Sequence, residues 1–335
     1  MKDLSQSTVV ITGASAGVGR AIALRFARAG ANLALIARDA EALDAVRQEI
    51  EQLGGTAMVV PLDVADADAV SQAADTIAAK RGGIDIWIND AMVTVFSPVW
   101  RMTAEEYRRV TEVTYLGFVH GTMAALRHMR PRNRGTIVQI GSALAYRGIP
   151  LQSAYCGAKY AIRGFTDSLR TELIHAGSGI KLTIVELPAV NTPQFDWART
   201  HMAKAPRPVA PVVQPEAVAD VVFRAARDPK REYWLGLSTL KAILGGMVLP
   251  KFLDWYLARN VYGGQETNVP VATTRRDNLM TPVHDLHRTR GSFSKEAANN
   301  VMAVPGPLAR LVPLAASAAA GLSIGILLTV MRRTP

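Results

Sequence analysis

Short apolar runs alternate with longer stretches of helical period from the start of the chain. Thr8–Thr12, Asn32–Ala37, Ala57–Pro61, Asp85–Asn89, Thr136–Ile140, Lys181–Leu187 and Tyr233–Leu237 are five to seven residues long and bounded by turn-forming residues, which predicts seven strands. Between the first two, Ala21, Ile22, Leu24, Phe26 and Ala27 make one apolar helix face, and the AGAN turn at Gly30 ends it. Strands separated by helices imply βαβ units, and right-handed crossovers turn these into a parallel sheet with helices on both faces. The expected fold is therefore α/β, a doubly wound parallel sheet in a single domain over residues 1–262, with a C-terminal extension.

Beyond Leu237 the rhythm changes. Lys241–Asn260 (KAILGGMVLPKFLDWYLARN) keeps a helical period and is read as a cap over a cleft or a segment at a membrane interface, with plain core packing as the default. Thr267–Pro307 is rich in Pro, Arg, Asn and Asp, so residues 263–308 are expected to form an irregular arm or linker. Within it, His284 and His287 of HDLH are read as exposed loop histidines, since a metal needs more ligands. Residues 309–333 are mostly hydrophobic: Leu311–Met331 is uncharged for 21 residues between Arg310 and Arg332. That length spans about 30 Å of hydrocarbon and makes a candidate transmembrane tail anchor. Pro313 and the many Ala, Ser and Gly residues leave a docked apolar helix as the alternative.

Composition narrows the class. With 49% hydrophobic and 20% charged residues in 335, the chain is globular over most of its length. Its one cysteine, Cys156, rules out an internal disulfide and fits a reducing, cytoplasmic setting. No apolar signal stretch precedes the first strand. The net charge of +10 suits any polyanion, but the densest basic cluster, Arg127–Gly135, lacks interleaved aromatics and reads as a solvated helix end; no nucleic acid is expected.

The first strand runs into TGASAGVGR. Gly13, Gly17 and Gly19 stand where the chain turns sharply into a helix, so the backbone of Ser15, Ala16, Gly17 and Val18 can approach a pyrophosphate at the helix's positive end. At the tip of the second strand, Arg38 follows Ala37; a guanidinium there suits a 2′-phosphate and favours NADP(H) over NAD(H). After the third strand, Asp63 and Val64 are placed to meet an adenine, although Asp63 serves equally as the N-cap of a helix over Ala65–Ala79. In SAYCGAKY, Tyr155 and Lys159 are four residues apart and share a helix face, so the ammonium can stabilise a phenolate. Just past the fifth strand, at the sheet's carboxyl edge, Ser142 can hold a substrate oxygen beside Tyr155.

Taken together, the glycine turn at Thr12–Gly19, Asn89-Asp90-Ala91-Met92, Ser142, and Tyr155 with Lys159 resemble the short-chain dehydrogenase/reductase family over roughly Ser5–Leu237. The resemblance extends to Pro188–Thr192, similar to the family's PGxxxT segment at the nicotinamide end, with Ala189 replacing glycine. It implies a Rossmann-like domain that transfers a hydride between NADP(H) and a small-molecule carbonyl or alcohol. Tyr155 would be the general acid/base, Ser142 would hold the oxygen, and Lys159 would tune Tyr155 and bind ribose. Asn89, Ala91, Pro188, Val190 and Thr192 would touch the cofactor. A homodimer or homotetramer, paired through Ala104–Met129 and Ser153–Ala176, is also implied. Two departures stand out: Asp90 and Met92 replace residues of NNAG, and Thr114 occupies the position of the family's fourth catalytic residue, an asparagine. A nucleotide-binding sensor or scaffold with little turnover is the alternative that Thr114 motivates. The aromatic residues Phe195, Trp197, Trp234, Trp255 and Tyr256 point to a lipophilic substrate.

Overall fold

The computed structural model describes residues 4, 5 and 7–309; Leu311–Met331, the expected tail anchor, lies outside them. The first half is built from β1 (Thr8–Thr12), α1 (Gly17–Ala27), β2 (Asn32–Ala37), α2 (Ala40–Gln52), β3 (Thr56–Pro61), α3 (Ala67–Arg81) and β4 (Ile86–Asn89). Next come α4 (Ala104–Thr111), a π-helical turn at Glu112–Leu116, α5 (Gly117–Met129) and β5 (Thr136–Ser142). They are followed by α6 (Ser153–His175), β6 (Lys181–Leu187), α7 (Pro215–Arg227), β7 (Glu232–Leu235), α8 (Gly236–Val248), α9 (Pro250–Tyr256) and β8 (Ala303–Pro305). In the sheet the order is β8-β7-β6-β5-β4-β1-β2-β3, parallel throughout except for β8, which pairs antiparallel with β7. The doubly wound α/β fold is thus present.

Each face of the sheet is covered because each helix carries one apolar stripe. Ile22 and Phe26 of α1, Leu43 and Val46 of α2, and Val218 and Val222 of α7 pack on one face with Val9, Ile11 and Leu33. On the other face, Val70 and Ile77 of α3, Val110 of α4, Ala125 of α5 and Leu169 of α6 cover Val10, Ala34 and Trp87. Local chemistry sets the helix ends. Asp39 caps α2 by accepting the Ala42 N–H at 3.0 Å, and Thr103 and Glu106 form a reciprocal capping box on α4.

Three expectations change. The helix after β3 begins at Ala67 with Asp66 as its cap, because Asp63 turns the chain by accepting the Ala65 N–H at 3.0 Å. The seventh strand stops at Leu235, where Gly236 at φ +77° starts α8. An eighth strand, β8, comes from the stretch expected to be irregular. Three residues ending in proline carry no periodic signal, and an edge is where a sheet tolerates proline. The same stretch also pairs Glu266–Pro270 antiparallel with Lys204–Pro206, and Ala297–Ala298 parallel with Val212–Val213.

Candidate functional site

A cavity of about 420 Å³ opens along the carboxyl edge of the sheet. Gly13, Ser15, Ala16, Gly17 and Val18 line it. Gly13 sits at φ +75°, and a Cβ there would lie 2.8 Å from the Ala91 Cα. Gly19 is not in the wall: its missing side chain lets α1 close on the turn, since a Cβ would lie 2.2 Å from the Gly13 carbonyl oxygen. Ala16 offers no side-chain cap, and in the first turn of α1, where an anion gains most, the Gly17 N–H donates to the Arg288 carbonyl at 3.0 Å.

At the β2 tip, Ala37, Arg38 and Asp39 line the same cavity, as do Leu62, Asp63 and Val64 after β3. Arg38 does not extend freely into it. Its guanidinium donates to the carbonyls of Asn278 (2.5 Å) and Met280 (2.9 Å), both on the C-terminal segment. Burial lowers its pKa, with Asp63 opposing that shift. Asp63 is itself paired with Arg109, so its carboxylate is engaged before any adenine arrives. Asn89 departs from expectation. It is fully buried, accepts from Trp87 Nε1 at 2.8 Å, and donates to Gln139 Oε1 at 2.9 Å and Thr122 Oγ1 at 3.1 Å. These bonds exhaust its amide inside the core, and the neighbouring Asp90 and Ala91 line the cavity instead.

Ser142, Tyr155 and Lys159 converge on one wall. Tyr155 shares a hydrogen bond with Ser142, which favours the phenolate, but burial outweighs it and pushes the phenol's pKa above its ordinary value. The expected depression by Lys159 is therefore not the net result. Lys159 donates from Nζ to the Ile140 carbonyl at 2.7 Å, and Nζ stands 4.7 Å from the Phe118 ring centre and 5.5 Å from that of Tyr155. Burial lowers the Lys159 pKa, opposed by Asp90 and Glu186; burial raises that of Asp90, opposed by Lys159 and the Gly19 N–H. Thr114 is fully buried, and its hydroxyl accepts the Val93 N–H at 3.1 Å and donates to the Val93 carbonyl at 2.8 Å. It pins the π turn to the chain leaving β4, and its hydroxyl proton is already committed there.

Glu186 was not singled out by sequence, because one carboxylate in a strand looks like a solvent-facing position. The β5–β6 register sets it opposite Gly141, where a Cβ would lie 2.2 Å from Glu186 Oε2, and burial together with Glu232 pushes its pKa up to about 8. A carboxyl whose folded pKa is raised costs stability as pH climbs from the unfolded value towards 8, since the unfolded chain ionises it more readily. Glu186→Gln should accordingly raise thermal stability at pH 9 by on the order of 3 kcal/mol and change it little at pH 4, as read by melting curves at the two pH values. Equal shifts at both would remove this account.

Opposite the glycine turn, Pro188, Ala189, Val190 and Thr192 form the wall, joined by Phe195 and Trp197. The other aromatic residues fall elsewhere: Trp234 is buried against Ile243 and Ala309, and Trp255 and Tyr256 are 50% and 43% exposed. Ser238, Thr239 and Ala242 of α8 line the cavity, whereas Met247, Val248, Leu249, Phe252 and Trp255 are exposed on α8, α9 and the bend between them. Lys241–Asn260 thus touches the cavity through Ala242 and Leu257, packs Ile243 in the core against Trp234, and leaves an apolar outer face. No helix among the described residues is long and apolar enough to cross a membrane. His287 also contradicts its reading as an exposed loop residue. Its side chain is 10% exposed, lines the cavity and stands 3.2 Å from Asp39, which the more exposed His284 contacts at 2.6 Å.

A dinucleotide fits this arrangement. The glycine turn lines the cavity with its backbone, the β2 and β3 tips wall one end, and Tyr155, Ser142 and Lys159 stand at the other.

Comparison with known proteins agrees. Residues 7–203 match a family model described as short chain dehydrogenase. An uncharacterized oxidoreductase of Bacillus subtilis, YxnA, is 30% identical over 327 residues, 95% of this chain and 92% of that protein. A fatty acyl-CoA reductase of Acinetobacter baylyi is 33% identical over 69% of this chain and 76% of its own length. Among solved structures, a metagenomic short-chain oxidoreductase in complex with NADP superposes with a TM-score of 0.57 at 29% identity, covering 67% of this chain and 92% of that one. A short-chain type dehydrogenase/reductase from Mycobacterium marinum gives 0.58 at 28% identity, covering 67% and 89%.

Proposed function

Because the chain belongs to the short-chain dehydrogenase/reductase family, and is an oxidoreductase on that ground, we propose that it reduces a lipophilic carbonyl to an alcohol with NADPH. The observation that carries this reading is the convergence of Tyr155, Ser142 and Lys159 on a cavity continuous with the glycine turn. A bound nicotinamide supplies the hydride to the carbonyl carbon. Tyr155 donates its phenolic proton to the oxygen as charge develops there. The raised phenol pKa keeps that proton available at neutral pH, which favours the reductive direction. Ser142 donates a second hydrogen bond to the same oxygen. Lys159 spends one N–H on the Ile140 carbonyl and has two more for ribose hydroxyls. Thr114 acts at a distance, holding the π turn through Val93.

Apolar lining by Met92, Leu144, Ile149 and Phe195, and the exposed apolar face beside the α8 wall, support a lipophilic substrate. Similarity to a protein named as a fatty acyl-CoA reductase is consistent with an extended chain. Tyr107, Met123, Tyr160 and Ile174, exposed on α4, α5 and α6, support pairing of two copies through those helices.

NADP over NAD rests on Arg38 and its neighbour Arg109 at the β2 tip. The test is turnover of aldehydes and ketones graded from two to twelve carbons, with NADPH and NADH, by wild type and Arg38→Ala. Wild type should prefer NADPH and longer substrates, and Arg38→Ala should weaken NADPH binding roughly 10- to 100-fold while changing NADH about threefold or less. Absence of turnover with every carbonyl would sink the catalytic reading, and equal losses for both cofactors would sink the NADP preference.

A further inference from the structure

The C-terminal segment 278–294 crosses the whole cofactor groove. The Gly17 N–H donates to the Arg288 carbonyl at 3.0 Å, and Arg20 donates to that of His287 at 3.0 Å. Arg38 and Arg109 hold Asn278, Leu279 and Met280 by their carbonyls, with the Leu279 side chain fully buried. On the far side, the Gly291 N–H donates to the Asn191 carbonyl at 3.0 Å and the Phe293 N–H to Asn191 Oδ1 at 2.9 Å. The approach is so close that a Cβ on Gly291 would lie 2.3 Å from the Thr192 oxygen. The segment is therefore fastened to the glycine turn, the β2 tip and the Pro188–Thr192 wall at once.

What it turns inward points to a ligand. Asn278, Pro282, Val283 and His287 line the cavity. Among the described residues, Asn278 Oδ1 and both ring nitrogens of His287 are buried with no hydrogen-bond partner, Nε2 standing 3.2 Å from the Asp39 carboxylate. Two residues with such atoms lining one cavity call for a partner, since a buried polar atom left without one is destabilising. The Asp39 carboxylate beside His287 Nε2 draws the ring hydrogen to that nitrogen and leaves Nδ1 an acceptor. Asn278 Oδ1 and His287 Nδ1 are then both acceptors, which suits hydroxyl or amino hydrogens rather than phosphate oxygens.

We propose that Asn278 and His287 belong to the dinucleotide site, as acceptors for hydroxyl or amino hydrogens on its adenosine half, and that the segment carrying them must lift for the cofactor to exchange. This rests on the oxidoreductase reading. It adds residues that lie some 75 positions or more beyond the stretch matched by the family model.

The test uses the full chain, with NADPH binding followed by its own fluorescence and amide hydrogen exchange followed across residues 278–293. NADPH should slow exchange there at least about tenfold, and reduced nicotinamide mononucleotide, which lacks adenosine, should not. Asn278→Ala and His287→Ala should each weaken NADPH roughly 5- to 10-fold, and leave the mononucleotide unchanged. Equal NADPH affinity in wild type and both variants, or unchanged exchange on binding, overturns the proposal. An equal loss for the mononucleotide also overturns it, because the damage is then general. If wild type binds no dinucleotide at all, it is the oxidoreductase reading that has failed first.

Discussion

Tyr155→Phe should lower kcat/KM for NADPH-dependent carbonyl reduction by about 10³-fold or more while leaving NADPH affinity within about twofold. The substitution removes one hydroxyl from a position already hydrogen-bonded to Ser142, so the substrate oxygen loses its proton source and the wall keeps its shape. A sign accompanies the magnitude. Burial holds the phenol protonated well past neutrality, so wild-type reduction should be flat from about pH 6 to 9, while the reverse oxidation, which needs phenolate, should climb over the same range. Steady-state kinetics in both directions decide it. A variant within tenfold of wild type would mean that another group delivers the proton.

The second large effect belongs to the glycine turn. Gly19→Ala places a methyl 2.2 Å from the Gly13 carbonyl oxygen and 2.9 Å from Asp90 Oδ2, so backbone rather than a flexible side-chain tip must give way. Overpacking of this kind costs about 1–3 kcal/mol in stability. Cofactor affinity should fall as well, by about 100-fold, because the turn that presents the N–H groups is itself displaced. Gly164→Ala in α6 is the control: nothing lies within 4 Å of its Cβ, and a helix interior prefers alanine by up to about 1 kcal/mol. Melting curves and NADPH titrations of both variants separate the two cases. Retained affinity in Gly19→Ala would show that the turn tolerates displacement.

Much of this was legible along the chain because the signals are local. All seven expected strands form, four with bounds shifted by one or two residues, since each apolar run sits between its own turns. Ser142, Tyr155 and Lys159 meet because strand tip and helix face are short-range properties. What escaped depends on distance in sequence. Asn89 leaves its expected place at the cofactor because only the folded core shows Trp87, Thr122 and Gln139 consuming its amide. Glu186 is buried by register, and Asn278 and His287 become site residues only when a weakly periodic stretch closes over the groove. Thr114 is a subtler case: its departure was visible, while its double bond to Val93 was not.

The bonds from Arg38 to the C-terminal segment span 240 residues and more. At synthesis rates of 5–20 residues per second, the carbonyls that hold this guanidinium emerge roughly 10–50 s after it does. Late in that interval the growing chain has its glycine turn and the first seven strands of its sheet, but β7 has no β8 beside it and the groove has no roof. An unpaired edge and an open apolar trough are what chaperones bind and what neighbouring nascent chains stick to. Slowing synthesis through the 236–305 stretch should therefore lower soluble yield more than slowing it anywhere earlier, a cost borne in biogenesis rather than in the finished fold.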